Sequence, residues 1–299
     1  MGKRETKRAI SGLLSAFFLL RVSSAFAGDI LPPFKDDYFA YPGILSSADN
    51  GDYKVVDYDE MCDINGRDAV SEKRVRDAYV SLRARAYQKD VTFQTFAGPV
   101  KAMTAGKRDG ASFIVIYLHG RGGNRLQGMN DFTFGGNFNR VKNLAVLNDG
   151  FYITPDFKDF GAAGEAQIAG LIDAVRATSP HAPLVLSCGS QGGGTLCWRI
   201  AANEKAGGAL AGLILLGSLW DEGFFQSSAF KRRVPVFFGH GSRDPVFAID
   251  KQKGFYREIR KRAPGYPVQF RRFESGNHGT PIRMSDWREM LNWILAKQG

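Results

Sequence analysis

Ser190 is the residue whose surroundings first suggest chemistry. It sits in LVLSCGSQGGG, residues 184–194, where an apolar run ends, small residues crowd one serine, and a helix-like stretch (Thr195–Ala202) begins. A serine on so sharp a strand-to-helix turn has a strained backbone, tolerates only small neighbours, and exposes its hydroxyl beside a helix N-terminus. The pattern around such a serine is Gly-x-Ser-x-Gly; here Cys188 stands in the first position, small enough to be accommodated. A Gly-rich phosphate turn is the alternative reading, but the run has neither a Lys-Ser/Thr ending nor Gly-x-Gly-x-x-Gly spacing.

Three other loops complete a reaction centre. His119-Gly-Arg-Gly-Gly-Asn124 follows an apolar run, and a loop so free of bulk can turn a backbone N–H towards a developing oxyanion. The Arg121 and Gln191 N–H groups would form that hole, with His119 as structural support. Gly239-His-Gly-Ser-Arg-Asp244 supplies an acid that can accept a hydrogen bond from a catalytic base; Asp221 or Glu222 competes for the role, and Asp244 could instead cap a helix. Glu274-Ser-Gly-Asn-His278-Gly supplies the base. Of the four histidines, His181 precedes its strand, His119 belongs to the oxyanion loop and His240 lies on the acid's own turn, which leaves His278.

These residues need a scaffold that gathers them. Strand-like apolar runs occur at 113–118, 151–154, 184–187, 213–216, 236–238 and 268–273, mostly without alternation, as strands covered on both faces require. Amphipathic helices lie between them: Ile168, Leu171, Ile172 and Val175 share one helical face, as do Trp287, Met290, Leu291 and Ile294. Such alternation predicts an α/β fold, a mostly parallel central sheet with helices on both faces. In such a sheet, functional groups collect at the carboxyl ends of strands, where all four loops fall. Upstream, 91–96 and 53–58 read as strands, and 71–88 has helical composition. We divide the chain into a signal peptide (1–27), an extended lead-in (28–50) and one catalytic domain (51–299).

The order Ser190, Asp244, His278, with the His-Gly loop after an earlier strand, resembles the α/β-hydrolase superfamily in its carboxylesterase, phospholipase and dienelactone-hydrolase-like branch. The resemblance covers roughly residues 90–299 and rests on HGRGGN, CGSQGGG, HGSRD and GNHG. It implies an α/β-hydrolase fold, a serine hydrolase activity without metal or cofactor, and an oxyanion hole at Arg121 and Gln191. The sequence departs from the family at Cys188 and in the long, helix-like insertion at 59–90.

Composition narrows the partners. The 299 residues carry a formal charge of +10, but Lys3, Arg4, Lys7, Arg8 and Arg21, against Glu5, lie in the first 27 residues, and without them the balance is +6. The remaining charges are scattered and bring no nucleic-acid motif. The same first 27 residues read as an export signal: a basic stretch, an apolar run too short to span a bilayer, and Ala25-Phe-Ala27 before the cleavage point. A periplasmic or secreted protein with a small-molecule ester substrate, no nucleic acid and no membrane span after signal removal is expected. The sequence gives no oligomeric state.

Three cysteines make no disulfide framework. Cys188 and Cys197 are expected as buried small hydrophobes, because two helical turns rise about 11 Å, beyond the roughly 7 Å that a disulfide spans between Cα atoms. Between 213–216 and 236–238, the short segment 217–235 carries Trp220 and Phe224 as expected substrate-binding walls, with Lys231, Arg232 and Arg233 nearby. Short-chain or aromatic acyl esters are the expected substrates. A secreted peptidase or polymer depolymerase using the same residues is the alternative enzyme, and a non-catalytic binding protein of the same fold is the alternative class.

Overall fold

The computed structural model describes residues 30–298; the expected signal peptide lies outside them. The chain opens with α1 (Asp36–Phe39), β1 (Ile44–Ala48) and β2 (Tyr53–Val56), so the expected lead-in already contains a strand. Next come α2 (Glu60–Arg67) and a small hairpin of β3 (Asp68–Val70) and β4 (Arg74–Val75). Short 3-10 turns carry the chain to β5 (Gln88–Thr95) and β6 (Gly98–Gly106). The insertion at 59–90 is therefore only partly helical: its longest helix is α2, and 71–88 holds one hairpin strand and two 3-10 segments.

From here strand and helix alternate: β7 (Ile114–Leu118), α3 (Asn137–Leu147), β8 (Phe151–Pro155), α4 (Ala162–Thr178), β9 (Leu184–Gly189) and α5 (Ser190–Ala202). Then follow α6 (Glu204–Gly208), β10 (Leu210–Leu216), α7 (Ser228–Lys231), β11 (Val236–Gly241) and α8 (Ile249–Arg262). The chain closes with β12 (Val268–Phe273), α9 (Thr280–Met284) and α10 (Trp287–Leu295).

Ten strands form one sheet in the order β1-β2-β12-β11-β10-β9-β7-β8-β6-β5. The seven from β2 to β8 run parallel, while β1 pairs antiparallel with β2 at one edge and, at the other, β6 pairs antiparallel with β8 and β5 antiparallel with β6. Every residue of β7, β8, β9, β10 and β11 is buried, the reason their sequences are apolar without alternation. On one face the core is formed with α4, α5 and α8, through Ile168, Leu196 and Phe255 among others; on the other, α3 and α10 contribute Phe138, Val141, Trp287 and Leu291.

Chain order reverses around β7, which lies between β8 and β9. The crevice outside the carboxyl ends of strands at such a reversal is where open α/β sheets place ligands. The loop after β7 and the turn after β9 meet there. The two ends of the chain are also knit together: β2 pairs with β12, and the Leu31 amide donates to Asn292 Oδ1 at 2.7 Å. Arg140, fully buried, lies 3.0 Å from both Asp36 and Asp286 and ties α1 to the start of α10.

Candidate active site

Ser190 is the first residue of α5 and has φ +59°, a left-handed conformation rare for a side chain of its kind. The turn is held tight by what surrounds it. A Cβ on Gly189 would come within 2.5 Å of the Tyr117 hydroxyl, and one on Gly120 within 2.7 Å of the Ser190 Cβ. Larger residues at either position would displace the serine, so the HG loop after β7 lies directly against the candidate nucleophile. Ser218, buried just past β10, places its hydroxyl 3.1 Å from the Cys188 carbonyl oxygen and 3.2 Å from that of Ser190.

The structure brings Ser190, His278 and Asp244 together. His278 Nε2 is 2.8 Å from Ser190 Oγ, and His278 Nδ1 is 2.8 Å from Asp244 Oδ2. The carboxylate must accept at Nδ1–H, which leaves Nε2 as the acceptor for the serine hydroxyl. Asp244 follows β11, and its Oδ1 accepts from the Val246 and Phe247 amides at 2.8 and 3.0 Å. Burial pushes the Asp244 carboxyl up, but the His278 hydrogen bond and these two amides outweigh it and hold the group below the usual carboxylate range. The competing acid is used elsewhere: Asp221 accepts from the Gly223 amide at 2.8 Å, capping a 3-10 turn, and Glu222 opens that turn.

His240 is fully buried behind this pair. Its Nε2 donates to the Phe247 carbonyl at 3.0 Å and lies 3.5 Å from Asp244 Oδ2. His119 is buried too, with Nδ1 2.8 Å from the Gly120 carbonyl oxygen and its ring stacked on Phe157 at 4.3 Å. Burial holds both imidazoles below the ordinary histidine value. Arg121 is exposed within the turn that Gly123 closes on Gly120 at 3.1 Å, and Gln191 is the second residue of α5. The first amides of a helix have no partner inside it, so the Gln191 N–H is available to an anion.

Three expectations are corrected. Cys188 and Cys197 are joined in a disulfide, with Cα atoms 6.3 Å apart. Helical rise was the wrong measure, because α5 folds back along β9. Two strand residues carry Cys188 about 7 Å from Ser190 and seven helical residues carry Cys197 about 10 Å in the same direction, so the two come nearly level. Phe224 is only 1% exposed and packs among Trp198, Phe225, Phe230, Phe255 and Tyr266, so it offers a ligand no surface. Trp220 is half-buried and lines a groove with Phe225 and α8. The basic run lies at the opposite end of the sheet: Arg232 donates to the Gly207 carbonyl at 3.0 Å and also reaches Gly208, and Arg233 donates to that of Pro264 at 3.0 Å. A segment joining the carboxyl end of β10 to the amino end of β11 must descend the sheet, and these residues are at its foot.

Sequence reasoning passed over Ser218 and the role of His240 beside Asp244. Ser218 also follows a strand's carboxyl end, the position at which functional groups collect in such a sheet, and that signal was present in the sequence. Among the described residues no group of three His, Cys, Asp or Glu side chains could hold a metal ion, and no helix is long and apolar enough to cross a membrane.

The sequence matches no protein-family model and no curated protein. Solved structures do resemble it. A thermostable esterase superposes with a TM-score of 0.56 at 15% identity, covering 71% of this chain and 64% of its own. An esterase from Pyrococcus furiosus gives 0.52 at 13% identity, covering 73% and 95%. An α/β serine hydrolase homologue from Coxiella burnetii gives 0.50 at 18% identity, covering 71% and 97%. Together with the strand order, these likenesses show that the chain has the α/β-hydrolase fold.

Proposed function

We propose that this protein is an exported carboxylic ester hydrolase that works through an acyl-enzyme on Ser190. The observation that carries the reading is the pair of 2.8 Å contacts linking Ser190 Oγ, His278 and Asp244. His278 takes the hydroxyl proton as Ser190 attacks the ester carbonyl, and Asp244 stabilises the imidazolium. The Arg121 and Gln191 N–H groups receive the oxyanion, each such donor contributing roughly 3–4 kcal/mol in the transition state. His278 then protonates the departing alcohol, and water attacks the acyl-enzyme by the same route in reverse. The neighbours whose names record esterases and a serine hydrolase homologue favour this chemistry.

Short-chain or aromatic acyl esters are the proposed substrates, hydrolysed without interfacial activation. The segment between β10 and β11 supports this: it is short, and its aromatics are spent on packing, Phe224 wholly so. Export is supported by the sequence of residues 1–27 and by the Cys188–Cys197 disulfide, a bond that persists in oxidising compartments.

A fluorophosphonate should label the protein, and Ser190→Ala should abolish both label and turnover while the fold is retained. Labelling that survives in the variant would reject the nucleophile. A series of nitrophenyl esters should favour short acyl chains; activity that rises steadily with length, or starts only above the micellar limit, would make the protein a lipase. The amino terminus of exported material should be Gly28, and a retained Met1 would argue for an anchor.

A further inference from the structure

A cavity of about 390 Å³ lies between the insertion and the loop that carries His278. Its walls include Tyr58, Glu72, Thr133, Phe134, Asn277 and Arg283. Topology puts it on the reactive face: Tyr58 follows the carboxyl end of β2, Thr133 and Phe134 lie in the long connection after β7, and Asn277 and Arg283 follow β12. Both chain neighbours of His278, Asn277 and Gly279, contribute to the wall. The insertion is bonded to that loop, not merely adjacent. Asn277 Nδ2 donates to Glu60 Oε1 at 2.9 Å, Ser275 Oγ donates to the Tyr58 carbonyl at 2.8 Å, and Arg283 Nη1 is held by both Asp68 oxygens at 2.8 and 2.9 Å.

In acyl transfer the base becomes the acid that protonates the leaving oxygen, so the alcohol must lie on the histidine's side of the scissile bond. The walls then say which alcohol. Glu72 is exposed and its carboxylate has no partner among the described residues. Thr133 adds a hydroxyl to this wall beside the aromatic rings of Tyr58 and Phe134, while Asn277 and Arg283 are engaged by Glu60 and Asp68. An alkyl chain would strip water from these groups and return no hydrogen bonds. A free carboxylate at the rim also disfavours an anion. The volume is that of a small-molecule site.

Resting on the ester-hydrolase reading above, we propose that this cavity is the leaving-group subsite and selects a neutral, hydroxylated alcohol of the sugar or polyol class. The insertion at 59–90 is then the specificity-determining element.

The test uses esters sharing one acyl group, so that the acetyl-enzyme is common and only the alcohol differs: 6-O-acetylglucose and hexyl acetate, with 4-nitrophenyl acetate as a general reporter of turnover. The kcat/KM of the glucose ester should exceed that of hexyl acetate by about tenfold or more. Thr133→Trp, which fills the cavity, and Glu72→Leu, which removes a polar wall, should each lower that ratio about tenfold. Both esters are hydrolysed by the same folded fraction, so the ratio is unaffected if a variant folds poorly. A preference for hexyl acetate, or variants that leave the ratio unchanged while 4-nitrophenyl acetate is still turned over, would overturn the subsite and spare the ester-hydrolase reading. No turnover of any of the three, with no fluorophosphonate label, would overturn both.

Discussion

Cys188, two residues before the candidate nucleophile, is bonded to Cys197, two helical turns after it. The bond pins α5 to the strand that precedes it and closes a loop whose apex is Ser190. Both cysteines are fully buried. Under denaturing, non-reducing conditions a thiol assay should therefore find one free cysteine per chain, Cys62, and three after reduction. In the chain-entropy model a loop of this size stabilises the fold by roughly 2–3 kcal/mol. Cys197→Ser should lower the denaturant midpoint accordingly, and three thiols before reduction would refute the bond.

Asp244→Asn should reduce kcat far more than Asp221→Asn. An amide at 244 favours the wrong histidine tautomer, at a cost of up to ~10⁴ in rate, whereas the Asp221 side chain caps a 3-10 turn. Steady-state kinetics of the two variants decide the matter, and a reversed order would move the acid to the loop after β10.

Gly120 faces the Ser190 Cβ with no room for a methyl group. Gly120→Ala should push the loop or the serine out of line and lower kcat/KM on the order of 10²-fold, the usual consequence of a displacement near 1 Å. Circular dichroism should stay native, because the loop lies outside the core strands. Wild-type kinetics in this variant would mean that the loop does not border the reacting atoms.

Stability should depend on pH through the buried histidines. Burial holds His240 and His119 below their ordinary value of 6.5, and both regain it when the chain unfolds. Just below about pH 6.5 the unfolded chain therefore binds more protons than the folded one. Their contribution is complete above that value and declines as the pH falls, by up to ~1.4 kcal/mol per pH unit for each histidine. Urea unfolding should give a level midpoint from about pH 7 to 8 and a falling one below about pH 6, with a shallower fall in His240→Asn. An equal fall in the variant would assign the titration to other groups.

What the sequence disclosed follows from which signals are local. The runs at 113–118, 151–154, 184–187, 213–216, 236–238 and 268–273 all became strands of the sheet; the first five stood out because a strand covered on both faces is largely apolar, whereas the last, VQFRRF, buries only Val268, Phe270, Arg271 and Phe273. Ser190, Asp244 and His278 stood out because each follows one of these strands, and their side chains lie within hydrogen-bonding distance. The edges were harder. β1 has no buried residue and β6 alternates only loosely, so neither carried a strong pattern. The disulfide and the burial of Phe224 depend on how α5 and the 217–235 segment fold back onto the sheet, which no spacing along the chain reveals.

The pairing of β2 with β12 has a consequence for how the molecule is made. Asp52 and Gln269, hydrogen-bonded side by side, are 217 residues apart in sequence. Synthesis delivers β1 and β2 first, and β2, paired early with β1, must wait for most of the chain before its other neighbour exists. Contacts of such long range cost loop-closure entropy before they return anything, which makes folding slow. No growing fragment that lacks β12 and its following loop holds His278. Closure of the sheet and completion of the reaction centre thus fall at the same late moment of folding.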